Sequence, residues 1–155
     1  MNHAFGCRRL IAVFGGMNMT RKEAREQAFI IVFEKEFNNE YSLDEIIEAA
    51  KDAELFEADD FSKSLAEKTL ESMDKLDEII ISNLKGGWKI SRISKVSLAI
   101  LRLAICEMTQ FSDIPVSVSI NEAVDLAKMY AAEEDASFIN GLLGSVSRGL
   151  ASDAE

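Results

Sequence analysis

Apolar residues recur every three to four positions through the first half of the chain, which is the spacing of one face of a helix. Thr20 and Glu23 stand in the order of a capping box, so a first helix is predicted from Thr20 to about Phe37. Ser42 and Glu45 repeat this order and predict the start of a second helix. The apolar positions expected inside these two helices are Ala24, Ala28, Phe29, Val32, Phe33, Leu43, Ile46, Ile47 and Ala50.

A third amphipathic pattern begins after Asp59 or Asp60 and continues to Leu84. It predicts one long helix, and the apolar positions of that helix are Phe61, Leu65, Met73, Leu76, Ile80 and Leu84. Gly86 and Gly87 follow directly, and paired glycines are typical of a break between helices. We therefore expect two groups of helices that divide at this glycine pair.

Three further helical patterns follow the glycine pair, over residues 94–109, 118–130 and 135–148. The first of them is apolar on nearly every side, which predicts a central and buried helix. Residues 116–120 alternate as a strand would, but Pro115 and the helical spacing after Ile120 favour the entrance of a helix. The chain is therefore predicted to be all-α, with three helices before the glycine pair and three or four after it.

Residues 1–18 show no core pattern. Their apolar run at residues 10–14 is too short for a signal peptide, and no small-residue cleavage site follows it. Gly15 and Gly16 can be encoded by a purine run like that of a bacterial ribosome-binding site, just upstream of Met19. We therefore expect residues 1–18 to be a disordered or mis-assigned extension, with the natural start at Met19.

The composition is compatible with the predicted all-α chain and excludes several kinds of protein. Hydrophobic residues make up 48% and charged residues 28% of the 155, as in an ordinary soluble domain. The apolar run at residues 96–105 is far shorter than the ~20 residues of a membrane span, and Arg102 interrupts it. Two cysteines cannot build a disulfide framework, and Cys106 lies in an apolar helical pattern where a reduced thiol packs as a small hydrophobe.

Residues suited to catalysis or metal binding are scarce. His3 is the single histidine and leaves neither a catalytic triad nor a zinc site. Gly141 and Gly144 lie inside a helical pattern instead of following a strand, so they do not form a phosphate loop. Acids at residues 133–135 could bind a divalent cation, but acids before a helix more often match its dipole. No catalytic residue, metal or cofactor is predicted, and an enzyme is the weaker interpretation.

The net charge of −10 is unevenly distributed along the chain. Residues 1–36 carry six Lys or Arg against four acids, and residues 84–110 carry five against one. Residues 37–83 carry four against fourteen, and residues 111–155 carry two against eight. A local basic surface can bind a polyanion while the acidic remainder suppresses non-specific binding, although a solvated charged face is the alternative.

The first basic group consists of Arg21, Lys22 and Arg25, in the opening turns of the predicted first helix. Cations at the start of a helix oppose its dipole, so three of them there indicate that an anion binds them. Arg25 aligns with the apolar positions and is expected to project past the core into a groove. The alternative is a solvated helix end at which Glu26 pairs with a cation.

The second basic group consists of Lys85, Lys89, Arg92 and Lys95, on both sides of Trp88. An exposed indole there could stack on a base of a nucleic acid. An anchor that packs beneath the glycine hinge is the favoured interpretation of Trp88, because large aromatic side chains are mostly buried.

Arg102 stands alone in the most apolar predicted helix, so its burial requires a charged partner. Glu122 and Glu107 are the expected partners, and Asn121 and Asn140 are expected to assist them. We interpret these residues as a buried polar clip between helices, with a structural role.

Five segments resemble the NusB transcription antitermination family, in the order in which that family has them. They are TRKEAREQA (residues 20–28), AILRLAICEM (99–108), DIP (113–115), INEAVDLAKMY (120–130) and FINGLLG (138–144). The resemblance covers residues 19–150 and implies one compact domain of about seven helices in two subbundles. Residues 151–155 have no counterpart in these segments and are expected to form a disordered tail.

The resemblance implies a non-enzymatic factor in the cytoplasm, since such proteins help RNA polymerase to read through terminators in ribosomal RNA operons. With a small-subunit ribosomal protein also called NusE, members of the family hold the single-stranded boxA element of nascent RNA. The implied partners are therefore boxA RNA, NusE and the polymerase antitermination complex, without a membrane. A homodimer of the free protein is left open.

The resemblance also assigns residues to these partners. Arg21, Lys22 and Arg25 match the basic helix of the family, and Phe138 matches an aromatic residue near the RNA path, with core packing as the alternative for its ring. Phe33 falls near the partner groove, where the family usually has a tyrosine.

Lys89 and Arg92 form the second candidate site for RNA. A different class of function also remains: a protein-interaction scaffold in ribosome biogenesis whose basic stretches make no direct contact with RNA. Strong salt dependence of binding to boxA-like RNA would distinguish the first function from the scaffold.

Overall fold

Seven α-helices and one short 3-10 turn form the part of the chain that the computed structural model describes, residues 20–153. The helices are α1 (Arg21–Phe37), α2 (Leu43–Asp52), α3 (Asp60–Glu71), α4 (Met73–Asn83), α5 (Lys95–Gln110), α6 (Val116–Tyr130) and α7 (Glu133–Asp153), and the turn is Ile90–Arg92. These residues contain no strand, so the predicted all-α class is confirmed. The expectation for residues 1–18 lies outside the described residues.

Both predicted capping boxes form, and they fix where α1 and α2 begin. The Glu23 amide donates to Thr20 Oγ1 at 3.1 Å, and the Thr20 amide donates to the Glu23 carboxylate at 3.2 Å. At Ser42 and Glu45 the same two distances are 3.1 and 2.7 Å. Each box satisfies two amides that a helix start otherwise leaves without partners.

The prediction of one long third helix is wrong, because the helix is interrupted at Ser72, between α3 and α4. The amide of Ser72 is shared between the carbonyls of Lys68 and Thr69, at 3.1 and 3.3 Å. Leu65 in α3 and Leu76 in α4 are both buried, and in the sequence they are eleven residues apart, which is three turns of a continuous helix. The apolar spacing therefore continues across Ser72 and gives no sign that the helix is interrupted there.

The chain divides into two compact units at Glu67 and Lys68, within α3. The predicted division at Gly86 and Gly87 is therefore wrong. In the second unit α4 packs against α5 and α7, with Leu76 and Ile80 fully buried. This packing, which periodicity cannot show, places α4 with the later helices.

The first unit has its core between α1, α2 and the segment that leads into α3. The α1 helix packs against α2, and its apolar face is almost completely buried. The core residues of this unit are Ala24, Ala28, Phe29, Ile31, Val32, Ile47, Ala50, Phe56, Ala58, Leu65 and Ala66. All but Ile31, Phe56, Ala58 and Ala66 belong to the predicted apolar positions.

The second unit is organised around α5, which packs against α4, α6 and α7. Every residue from position 99 to position 108 is buried, so the predicted central helix is confirmed. Ser94 caps this helix, since its hydroxyl accepts from the Ser97 amide at 3.2 Å. An element buried on all sides contributes most of the apolar area that stabilises such a unit.

The last two helices are longer than their patterns indicate. The α6 helix begins at Val116, directly after Pro115, and α7 runs from Glu133 to Asp153. The predicted disordered tail is therefore wrong for residues 151–153, which are helical. Leu150 and Ala151 are good helix formers, and no proline follows Arg148 to end the helix. Residues 154 and 155 lie outside the described range.

None of the helices within residues 20–153 is long and apolar enough to cross a membrane.

Arg102 is buried in α5 as expected, and the structure pairs it with Asp77 of α4. Its Nε and Nη2 atoms donate to the two carboxylate oxygens of Asp77 at 2.7 and 2.8 Å. This bidentate geometry is the strongest form of an arginine–carboxylate contact. The sequence interpretation named Glu122 and Glu107 and missed Asp77.

The prediction of a buried polar clip is also wrong for its two asparagines. Asn121 and Asn140 are both exposed, because each lies outside the stripe of its helix that faces the core. Glu122 is half-buried, and Glu107 is buried and accepts from the Ser119 hydroxyl at 2.9 Å. Two of the polar contacts that join α5 to its neighbours are thus Arg102 with Asp77 and Glu107 with Ser119.

We predict that Arg102→Met lowers the free energy of unfolding by about 2–3 kcal/mol, because it leaves the Asp77 carboxylate without its charged partner in a partly buried position. Urea unfolding followed by circular dichroism measures this loss. The double change Arg102→Met with Asp77→Leu should recover part of it, since a hydrophobic pair can replace an ion pair. Equal stability of wild type and Arg102→Met would refute a structural role.

Cys106 is a buried, free thiol in α5, as predicted. Burial raises the pKa of this thiol from its ordinary value near 9.0, although contacts with Thr69 and Lys68 act in the opposite direction. A raised folded-state pKa means that stability is fully present below the unfolded pKa and is lost as the pH rises through the folded value.

A Cys7→Ser chain should therefore react very slowly with a thiol reagent such as Ellman's reagent at pH 8, because the remaining thiol, Cys106, is buried and protonated. The same chain in urea should react at once, which is the control. Rapid reaction of the folded chain would show that α5 opens readily to solvent.

Candidate nucleic-acid interface

The opening turn of α1 presents two exposed cations, Arg21 and Lys22. The capping box of Thr20 and Glu23 holds this turn in helical geometry, so both side chains leave the helix from a fixed backbone. Their arrangement agrees with the sequence prediction of a basic helix end.

Arg25, the third predicted phosphate contact, is only 5% exposed. Its guanidinium carbon lies 5.6 Å from the centre of the Phe61 ring, and that of Arg21 lies 4.0 Å from the same ring. Both distances are in the range of cation–π contacts. The expectation that Arg25 projects past the core into a groove is therefore wrong, because its side chain is buried beside the Phe61 ring.

Phe61 also belongs to this site. The sequence analysis predicted it only as one of the apolar positions of the third helix. Its position depends on the next residue, Ser62, which is fully buried. The Ser62 hydroxyl lies 3.0 Å from the carbonyl oxygen of Ala24, and its amide donates to Asp59 Oδ1 at 2.8 Å. These bonds attach the start of α3 to α1, so the ring is held against the arginines.

The second basic group follows α4. Lys85, Lys89 and Arg92 are all exposed, on a segment that turns at Gly86 and Gly87. These glycines have φ of 67° and 74°, a conformation that residues with a side chain rarely adopt. The predicted glycine break is confirmed as a tight turn, although it does not separate the two units.

Trp88 follows this turn and is 55% exposed, so the favoured interpretation of it as a buried anchor is wrong. The centre of its ring lies 6.1 Å from that of Phe138, with 32° between the two planes. The two rings line an open pocket of about 380 Å³, here called the aromatic pocket, which also includes Asn83, Lys85 and Ser145. Phe138 is half-buried, so one part of its ring packs while another faces the pocket.

Phe33, the predicted partner contact, is half-buried in a row of rings along α1. Its ring centre lies 5.8 Å from that of Phe29 and 5.0 Å from that of Phe37. Phe37 and Tyr41 are 45% and 50% exposed, and sequence reasoning did not select them. The signal for these two was weak, because they lie at and beyond the end of the helical pattern.

No group of side chains suited to hold a metal ion is found within residues 20–153.

A sequence profile of the NusB family matches residues 22–148. This chain belongs to the NusB family. The "Transcription antitermination protein NusB" of Acetivibrio thermocellus is 42% identical over 129 residues, which cover 83% of this chain and 88% of that protein. The NusB match therefore includes α1 from its second residue onward and both residues of the aromatic pair, Trp88 and Phe138.

Solved NusB structures have the same fold. The structure of T. maritima NusB matches with a TM-score of 0.73 at 30% identity, and covers 85% of this chain and 93% of that one. A second match, also with a TM-score of 0.73, is a chain from "Antitermination Factors NusB and NusE in complex with dsRNA". It is 24% identical and covers 83% of this chain and 96% of that one, so it supports the fold alone.

The exposure of Trp88 predicts that acrylamide quenches its fluorescence in the folded chain. Because this is the only tryptophan of the chain, all tryptophan emission comes from the aromatic pocket. We expect a quenching constant of roughly half that of the urea-unfolded chain or more, since about half of the side chain is open to solvent. Strong shielding from acrylamide would restore the interpretation of Trp88 as a buried anchor.

Proposed function

We propose that this protein is a non-catalytic transcription antitermination factor that binds single-stranded boxA-type RNA. It does so in the cytoplasm together with the ribosomal protein NusE, within the polymerase complex that transcribes ribosomal RNA. Its membership of the NusB family supports this proposal, and so does the named function of the 42% identical relative. A chain of the same fold has been solved as NusB together with NusE and double-stranded RNA.

The observation that carries the RNA part of the proposal is the pair of exposed cations on the capped first turn of α1. A phosphate that approaches this turn meets Arg21 and Lys22, and the macrodipole of α1 adds a positive potential. The contact of Arg21 with Phe61, at 4.0 Å, limits the rotamers of its side chain before RNA binds. Less conformational entropy is then lost when the contact with phosphate forms.

Arg25 has a different role in this proposal. A side chain that is 5% exposed cannot reach a phosphate without leaving its site, so Arg25 acts as a positioning residue. It contacts the same Phe61 ring as Arg21 does. It thereby fixes the N-terminal end of α1 against the start of α3. Phosphate contact at this end of the helix is left to Arg21 and Lys22.

The surface proposed for NusE is the row of rings on α1 and the loop after it. Phe33 is half-buried, and Phe37 and Tyr41 are each about half exposed, at 45% and 50%. Aromatic side chains are enriched in protein interfaces because they contribute large contact area at a small loss of conformational entropy. Phe33 contacts the Phe37 ring of this surface, and only part of its own side chain is accessible to a partner.

The contributions of the basic helix end can be measured by salt titration. The double change Arg21→Ala with Lys22→Ala should flatten the slope of log K against log salt by about 1.4, since each lost phosphate contact is worth about 0.7 on single strands. It should weaken boxA and scrambled RNA equally, because phosphate contacts carry no sequence information. Fluorescence anisotropy of labelled RNA, at several salt concentrations, provides both results.

The matched control is Lys75→Ala with Lys128→Ala, which removes two exposed cations elsewhere and leaves the same net charge. Its salt slope should remain that of wild type. Arg25→Ala should lower the melting temperature, whereas the Arg21 and Lys22 change should not. If the slope persists without Arg21 and Lys22 but falls in a chain without Lys85, Lys89 and Arg92, the RNA site lies at the second basic group.

A further inference from the structure

The loop between α1 and α2, residues 38–42, is exposed at its centre and yet is tied to both helices by hydrogen bonds. Asn39, Glu40 and Tyr41 are all exposed. The Asn38 amide donates to the carbonyl oxygen of Glu34 at 3.0 Å, which closes α1. Water can satisfy the polar groups of an exposed loop, so bonds within the protein are not needed to pair them. Their effect is to fix the shape of the loop.

Lys35, in the last turn of α1, makes the central contact with this loop. Its ammonium group donates to the carbonyl oxygen of Asn39 at 2.7 Å and to that of Tyr41. Hydrogen bonds from a charged donor are roughly twice as strong as those between neutral groups. A lysine at this end of a helix also matches the negative end of the helix dipole. One side chain thus joins the end of α1 to two carbonyls of the loop.

The backbone at Tyr41 is held from both sides. Its amide donates to the carbonyl oxygen of Asn38 at 3.1 Å, and its own carbonyl accepts from Lys35. The amide of the next residue, Ser42, donates to the Glu45 carboxylate at 2.7 Å, as part of the capping box of α2. Tyr41 is therefore confined in its backbone conformation, although its side chain is 50% exposed.

Phe37 is the second exposed ring of this region and is the last residue of α1. Its ring meets that of Phe33 at 5.0 Å, with 74° between the planes, and Phe33 stacks on the buried Phe29 at 5.8 Å. The row of rings is thus anchored in the core of the first unit. Because Lys35 and Phe37 belong to the same helix, the bonds of Lys35 to the loop also fix the position of Tyr41 relative to Phe37.

The contact of Lys35 with the loop adds little to the stability of the free chain. Immobilising a lysine side chain costs conformational entropy, and water can replace each of its two bonds. Its larger effect is on the exposed rings, since a fixed backbone lowers the conformational entropy that is lost when a partner covers them. Such a contact stabilises a binding surface in advance of binding.

We propose that Lys35 is a positioning residue for the protein partner. It holds the loop so that the rings of Phe37 and Tyr41 keep the one mutual arrangement that the partner covers, and it acts through the loop instead of by contact with the partner. This inference rests on the proposed function, in which the row of rings on α1 and the loop after it bind NusE. It adds the residue that keeps this surface in its binding conformation.

The test measures the affinity of isolated NusE for the full chain by isothermal titration calorimetry. Lys35→Met keeps the apolar stem of the side chain and removes its donors, so the affinity should fall about fivefold. Lys35→Arg can still donate to both carbonyls and should keep most of the affinity. The matched control is Lys51→Met, which removes a lysine from the last turn of α2 that pairs with Glu57, and it should bind NusE as wild type does.

A double-mutant cycle shows whether Lys35 acts through the ring that it positions. In a Tyr41→Leu background, which by itself weakens the binding of NusE, Lys35→Met should cause little further loss, because the ring is absent. A general effect on folding would weaken binding by the same factor in both backgrounds. Circular dichroism confirms that each variant is folded.

Hydrogen exchange of the Tyr41 amide gives a readout that needs no partner. In wild type this amide should be protected, since it donates to the carbonyl oxygen of Asn38. In Lys35→Met it should exchange several times faster, while the amides of α5 exchange as in wild type. An unprotected Tyr41 amide in wild type would overturn the inference without any substitution.

The outcomes separate this inference from the function on which it rests. If Tyr41→Leu weakens the binding of NusE and Lys35→Met does not, Lys35 is not a positioning residue, and the proposed surface remains. An equal loss from Lys35→Met in both backgrounds would also overturn the inference, because the effect would not pass through the ring. A wild-type chain that binds no NusE would overturn the proposed function and this inference together.

Discussion

The burial of α5 on all sides is the constraint on which the second unit depends. A charged side chain in the buried part of this helix is shielded from water, so it is stable there only with a partner on a neighbouring helix. Arg102 donates to Asp77 on α4, and Glu107 accepts a hydrogen bond from Ser119 on α6. A hydrophobic helix alone could slide or rotate against its neighbours, whereas these directional bonds are satisfied in only one register.

This register extends from the core to the surface. With α4 and α7 both fixed against α5, Asn83 at the end of α4 meets Ser145 of α7, at 2.7 Å. The same arrangement places Phe138 of α7 beside Trp88, which follows α4. In the first unit the Ser62 contact with α1 plays the corresponding part, since it holds Phe61 under Arg21. Exposed groups at both places are thus oriented by hydrogen bonds that are buried or partly buried.

Features set by neighbours in the sequence were predictable, and features set by the choice of a distant partner were not. The capping boxes need only a residue and the third one after it, and the central helix needs only its own composition. Asp77 is 25 residues from Arg102, and no local pattern distinguishes it from Glu122. The burial of Arg25 and the exposure of Trp88 likewise depend on where Phe61 and Phe138 lie, which periodicity does not specify.

The acidic outer side of α2 has a consequence for the proposed binding of RNA. Asp44, Glu45, Glu48 and Asp52 are exposed on this helix, which packs against α1 within the same unit. At physiological ionic strength charges act over about 8 Å, so an approaching strand feels repulsion or attraction only near contact. In the proposed function, a strand that meets α2 is repelled and a strand that meets the start of α1 is attracted, so the lifetime of an encounter depends on where it begins.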